Sequence, residues 1–172
     1  MKTNRISINI RRTVAPFAVL AIAALLGACA GHHPRPDDST AQACQPITEA
    51  GIDRLFTEWN AALQTGKPDT VVDLYAERSI LLSTLSRTPR ITRAQKIDYF
   101  KHFLEKNPVG TIDTSMKFIG CNSAVNAGTY TFRFPPTDQV VPARYTYTYA
   151  WDAAKKQWLI TSHHSSVEPT GE

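Results

Sequence analysis

The chain has no Cys-x-x-Cys and no Cys/His pairing at zinc-ligand spacing, so nothing in it points to a metal site. Beyond its first residues it has no basic patch and no basic run interleaved with aromatics, which excludes nucleic-acid binding. A Gly-rich phosphate loop, a Val-Ala-Ile-Lys strand lysine, and His-Arg-Asp and Asp-Phe-Gly triplets are all missing, so the chain is not a kinase. A Gly-x-Ser-x-Gly elbow and a dinucleotide fingerprint are missing too, which leaves acyl-enzyme and nicotinamide or flavin chemistry without a motif. No cofactor is implied. The apolar run at residues 15–26 is shorter than the roughly 20 apolar residues a membrane-spanning helix needs. There is no internal repeat.

Cysteine is scarce, with three residues in 172, and the first of them is the most informative. Lys2, Arg5, Arg11 and Arg12 precede the apolar run, which leads into Leu26-Gly27-Ala28-Cys29. A basic segment, a short apolar one and small residues before a cut describe a secretory signal. A cysteine at the cut resembles the bacterial lipobox, which implies a diacylated thiol on Cys29 and a lipid-anchored protein of the bacterial cell envelope. Ala30 is not the aspartate that tends to retain such proteins at the inner membrane, so the outer membrane, periplasmic side, is expected if the cell is Gram-negative. Four of the 19 Lys and Arg and none of the 15 Asp and Glu lie before Cys29, so the remaining 144 residues carry 15 of each. That length suits one domain with a real core.

The expected organisation is a signal at 1–28, an acylated cysteine and flexible tether at 29–43, a folded domain at 44–168 and a tail at 169–172. The tether is small, polar or Pro throughout, and at about 3.5 Å per residue it reaches at most about 45–50 Å. His32-His33 within it reads as solvated chain rather than a chelator. Cys44 and Cys121 remain as an even pair in an oxidising compartment. They either form a bridge worth about 2–4 kcal/mol or stay as buried thiols.

From Thr48 the apolar period becomes helical: Ile52, Leu55, Phe56, Trp59 and Leu63 form one stripe, ended by Gly66 and Pro68. A short helix is predicted from about Asp69 to Ala76 and a brief strand at Ile80-Leu81-Leu82. Thr92 caps a third helix that buries Ile97, Phe100, Phe103 and Leu104 and breaks at Asn107-Pro108. Strands are predicted at about 112–121, 128–134, 143–151 and 157–166. In the third of these, Tyr145, Tyr147, Tyr149 and Trp151 share one face, and Arg144, Thr146 and Thr148 the other. This order is α+β: a cone-shaped barrel of curved antiparallel sheet with three N-terminal helices on its concave face, its open end a natural pocket.

Five segments carry a family resemblance. They are Trp59-Asn60-x-x-Leu63-x-Thr65-Gly66, Tyr99-Phe100-x-x-Phe103-Leu104, Gly128-x-Tyr130-x-Phe132-x-Phe134, Ala143-Arg144-Tyr145-Thr146-x-x-Tyr149 and Trp158-Leu159-Ile160-x-x-His163-His164-Ser165-Ser166. Over about residues 46–168 the chain resembles the nuclear transport factor 2-like superfamily. More narrowly, it is similar to bacterial secreted relatives of the calcium/calmodulin-dependent protein kinase II association domain. The resemblance implies homodimers or larger rings packed through the sheet, and a polar pocket lined by arginine and histidine. It places Arg133 in that pocket and, less securely, Arg144, because the family arginine falls nearer Thr146.

The candidate ligand-binding set is therefore Arg133, Arg144, His164, Thr131, Thr146, Ser162, Trp59, Asn60 and Tyr75. Two converging guanidinium forks fit a carboxylate or phosphate. His163 and His164 are adjacent on a strand and face opposite ways, so they cannot both ligate one metal. By alternation His164 shares a face with Trp158, Ile160 and Ser162, leaving His163 for the dimer face or rim. Trp59 can equally be plain core, and the tyrosine stripe sheet packing or a subunit interface. Asp98 is either a solvated helix acid or, with His164 and a tyrosine, the base of a ketosteroid-isomerase-like or SnoaL-like proton-transfer enzyme. Three functions are open: a pocket domain for a small anionic or polar ligand, such an enzyme, or a purely structural interaction module.

Overall fold

The computed structural model describes residues 43–84 and 86–171. The signal, Cys29 and the tether up to residue 42 lie outside the described residues.

Helix α1, Glu49–Gln64, starts where Thr48 accepts a hydrogen bond from Gly51 N, and its stripe of Ile52, Phe56, Trp59 and Leu63 is buried. Gly66, at φ +66°, takes the left-handed turn that lets the chain leave the helix. Helix α2 spans only Pro68–Val72, and strand β1, Tyr75–Leu82, begins directly after it. The predicted helix to Ala76 is thus cut short, because Tyr75 pairs with Ile160 and Leu74 O accepts from Ile160 N at 2.9 Å. Pairing with a long central strand outweighs the local helical pattern of a short segment. Helix α3, Arg93–Leu104, opens on a full capping box between Thr92 and Gln95. Strands β2 (Val109–Gly120), β3 (Ser123–Phe134), β4 (Gln139–Asp152) and β5 (Gln157–Val167) complete the fold.

The sheet order is β1-β5-β4-β3-β2, antiparallel except that β1 runs parallel to β5. It is curved and does not close. Its inner face carries Ala124, Tyr130, Phe132 and Phe134 from β3 and Tyr145, Tyr147 and Tyr149 from β4, all buried with α1 and α3 in one cluster. The tyrosine stripe is therefore inside the cone. Burying each such ring stabilises by about 1.5–3 kcal/mol.

Two backbone features set the shape. Gly128 lets β3 approach β2: a Cβ there would lie 2.0 Å from Thr114 O. In β5, Thr148 pairs with Ser162 but Tyr149 pairs with Ile160, so Thr161 is an extra, bulged residue. The inward set of β5 consequently changes parity, from Trp158 and Ile160 before the bulge to His163 and Ser165 after it.

The amino-terminal end of the domain is tied to the β2–β3 turn. Cys44 and Cys121 form a disulfide, Gln45 N donates to Asn122 Oδ1 at 2.7 Å, and Asn122 Nδ2 donates to Ala43 O at 3.2 Å.

Candidate functional site

The cone encloses a cavity of about 360 Å³. Phe100, Phe103, Phe132, Phe134 and Val141 are prominent in its walls; one group of polar residues lies on β5, β3 and the end of β1, and Arg90, Asp98, His102, Lys106 and Gln139 supply the rest.

His163 is central to that polar group. It is 4% exposed, stacked on Tyr147 at 4.1 Å between ring centroids and edge-on to Trp59 at 5.2 Å. Trp59 Nε1 lies 3.2 Å from Tyr75 Oη, which lies 2.9 Å from His163 Nδ1. An indole can only donate, so Tyr75 Oη accepts from Trp59 and gives its own proton to His163 Nδ1. The opposite tautomer would orphan both the Tyr75 proton and the Nε2 lone pair. This assignment, made from the network, leaves one unpaired group in it, His163 Nε2–H, which has no partner among the described residues. Burial pushes the His163 pKa down to about 3, with the neighbouring His164 adding to the effect. The ring is neutral at ordinary pH and serves as a fixed hydrogen-bond donor. Burial also drives the Tyr75 phenol well up, so it remains protonated.

Beside it, Ser165 Oγ accepts from Tyr130 Oη and contacts Thr84 Oγ1, joining β5, β3 and the end of β1. The mouth carries Arg90, whose guanidinium lies 5.6 Å over the Tyr99 ring and donates to Ser86 Oγ at 2.9 Å. Burial pushes the Tyr99 phenol up to about 12. The arrangement is a largely aromatic hollow with a neutral imidazole and hydroxyls on its inner wall, and with Arg90, Asp98, His102 and Lys106 also in its lining.

The expected residues are distributed differently. Trp59 and Tyr75 are brought together in the core, where they orient His163. Arg133, Arg144 and His164 are exposed, and with Thr131, Thr146 and Ser162 they occupy the outer face of the sheet, away from the cavity. For Arg133 and Arg144 simple alternation already sets that face, opposite the buried aromatics, and the family analogy pulled them inward. For His164 and Ser162 the reason is the bulge at Thr161, which turns His163 inward instead. Asn60 is not part of the cavity lining. It clamps α1 to β2, donating to Gly110 O and accepting from Gly110 N, both at 2.9 Å. Asp98 is exposed at the cavity rim, so it shares no site with His164, and that proton-transfer constellation does not assemble. Sequence reasoning missed His163, Ser165, Tyr130, Thr84 and Arg90. Tyr130 carried a signal in its alternation with Phe132 and Phe134, and His163 and Ser165 stood in the terminal-strand segment but were assigned to the other face; Thr84 and Arg90 carried none.

Residues 48–169 match the profile of the calcium/calmodulin dependent protein kinase II association domain. None of the curated proteins matches the chain. A solved structure assigned to that association domain, from Xanthomonas campestris, is 39% identical, covers 76% of this chain and 97% of its own, and superposes with a TM-score of 0.68. The iota-carbonic anhydrase of a cyanobacterium, solved with bicarbonate, is 20% identical over 77% of this chain and 99% of its own, with a TM-score of 0.65. An NTF2-like protein of unknown function from Pseudomonas putida is 14% identical over 72% of this chain and 89% of its own, with a TM-score of 0.62. The last two likenesses show the fold alone.

Proposed function

The chain belongs to the calcium/calmodulin dependent protein kinase II association domain family, an NTF2-like cone fold, and from that premise we propose that it is an oligomerising pocket domain for a small carboxylate. The observation that carries this reading is the buried His163 Nε2–H, unpaired among the described residues, on a side chain that lines the cavity. A buried donor without an acceptor is unfavourable by about 1–3 kcal/mol, and a carboxylate oxygen relieves it. Ser165, Thr84 and Tyr130 supply further hydroxyls, Arg90 attracts the acid to the mouth, and the phenylalanine walls favour an acid with an apolar body. Bicarbonate, which the cyanobacterial neighbour holds, is the minimal member of this class.

The test is thermal unfolding with bicarbonate, acetate, butyrate and benzoate. At about ten times Kd a ligand adds about 1.4 kcal/mol, and about 3–5 °C in Tm for a domain of this size. The shift should grow from acetate to benzoate and vanish in His163→Phe. No shift with any of the four acids removes the reading. A second, enzymatic reading is the interconversion of carbon dioxide and bicarbonate in this cavity. The hydroxyl cluster on Ser165 favours it, and oxygen-isotope exchange measured on the purified chain decides it.

The proposed oligomer is a homodimer through the outer sheet face. Met116 and Phe118 are about 60% exposed on that face, at 62% and 60%, beside Val125 and Ala127. Arg133, Arg144 and His164 then serve the subunit interface rather than the pocket. Phe118→Asp should shift the chain to monomer in light scattering. The envelope location, with lipid on Cys29, is part of the same proposal. The Cys44–Cys121 bridge supports it, since disulfides persist in oxidising compartments. Labelling with a radioactive fatty acid, lost in Cys29→Ser, tests it.

A further inference from the structure

A second depression, of about 620 Å³, opens between α2, the start of β1, the first turn of α3 and the β4–β5 turn. Its charged lining is mostly cationic: Arg78, Arg93, Lys96 and Lys155 against one acid, the exposed Glu77. Arg93 is engaged by Asp69 and Asp73, at 3.0 and 2.8 Å. Among the described residues Arg78, Lys96 and Lys155 form no ion pair.

Lys96 is the informative side chain. It is 1% exposed, yet its ammonium makes one hydrogen bond, to Ile91 O at 3.1 Å, with the Tyr75 ring centroid 6.0 Å away. An ammonium carries three N–H groups, so two of them lack an acceptor among the described residues. A charge shielded from water without a counter-ion is strongly unfavourable, and burial accordingly lowers the Lys96 pKa. The placement on α3 adds to the conflict. The first turn of this helix holds Arg93 and no acid, and Lys96 comes directly after it, so two cations crowd the positive end of the helix dipole. Neither arrangement helps the fold by itself. Both suit a bound anion.

We propose that this depression is an anion site, separate from the cone, that takes a compact phosphate-class oxyanion. Lys96 is its buried point charge, and Arg78 and Lys155 are the outer arms that close on the ligand. Arg93 stays with its two aspartates and orders the α2–α3 side of the rim.

The test is calorimetric titration of the full chain with inorganic phosphate, then with pyrophosphate, at low ionic strength. Saturable binding is expected, weakened about tenfold or more in Lys96→Met and in the Arg78→Gln/Lys155→Gln double variant, and suppressed by added salt. The double variant alters only exposed side chains, so its fold is not at risk. Lys96→Met has a second readout: without phosphate it should melt above the wild type, because it removes an uncompensated charge. Benzoate, the cone probe, should leave the phosphate isotherm in place, so failure here and failure of the cone reading are distinguishable. Absence of saturable binding, equal affinity in all three proteins, or displacement of phosphate by benzoate overturns the proposal.

Discussion

The burial of His163 makes stability fall as the solution is acidified, and the size of the fall can be worked out. In the folded chain the imidazole titrates at about 3, and burial is the main cause. In the unfolded chain it titrates near the ordinary value of about 6.5. A lowered folded pKa means the unfolded state binds the proton first, so stability is full above about pH 6.5 and is lost as pH drops toward about 3. Within that window the slope is about 1.4 kcal/mol per pH unit, and between about pH 7 and pH 5 the loss is about 2 kcal/mol. The result is insensitive to the folded value, provided that value stays below about 4. Urea denaturation followed by tryptophan fluorescence at several pH values measures it, because Trp59 lies edge-on to His163. The quantity that matters is the difference in slope between the wild type and His163→Phe, which isolates this one imidazole. Phenylalanine keeps an aromatic ring against Tyr147 and Trp59 and has no proton to bind. Parallel slopes for the two proteins would refute both the buried neutral imidazole and the donor role built on it.

Three further outcomes rest on particular contacts. The Cys44–Cys121 bridge spans 77 residues of chain, and loop-closure entropy makes it worth about 4.5 kcal/mol; Cys44→Ser/Cys121→Ser should show a large drop in urea midpoint, and an unchanged midpoint contradicts this. Asn60→Ala leaves the buried Gly110 N–H and C=O without their partners and should lower stability by about 2–4 kcal/mol. Asn60→Asp should do little better, since a carboxylate cannot donate to Gly110 O. Gly128→Ala places a methyl 2.0 Å from Thr114 O and should destabilise by about 3 kcal/mol or more; a variant that melts like the wild type would mean that β2 and β3 are less closely apposed than this distance requires.

Much of the fold was legible because its elements keep one period from end to end. The α1 stripe from Ile52 to Leu63 and the caps at Thr48 and Thr92 match the observed helices. Strand β3 alternates without interruption against β4, so the predicted stretch from Gly128 to Phe134 reads correctly on both faces, although the strand itself starts earlier, at Ser123. Legibility failed where a long-range partner overrode local pattern. Val71, Val72, Leu74 and Tyr75 look helical taken alone, but Tyr75 belongs to a strand because β5 lies beside it to receive it. Asn60 gives no local hint of its role, since its partner Gly110 is 50 residues away.

The candidate site was less legible for one identifiable reason. A strand's inward set is read by counting in twos, and the count holds only until a residue is inserted. In β5 that residue is Thr161, held to β4 by its hydroxyl, 2.7 Å from Thr148 Oγ1 and 3.2 Å from Thr148 O. Threonine suits strand and bulge alike, so its identity does not announce the insertion. Only the residues beyond the bulge change face: Trp158 and Ile160 keep the predicted one, while His163 and Ser165 replace His164 and Ser166 on the inside. Two adjacent histidines and two adjacent serines mean that slipping by one position exchanges like for like. Composition therefore looks the same in either register, and only the neighbours tell them apart. Tyr75 and Trp59, from β1 and α1, converge on one imidazole and not on the other. The pocket's chemistry is set by that convergence.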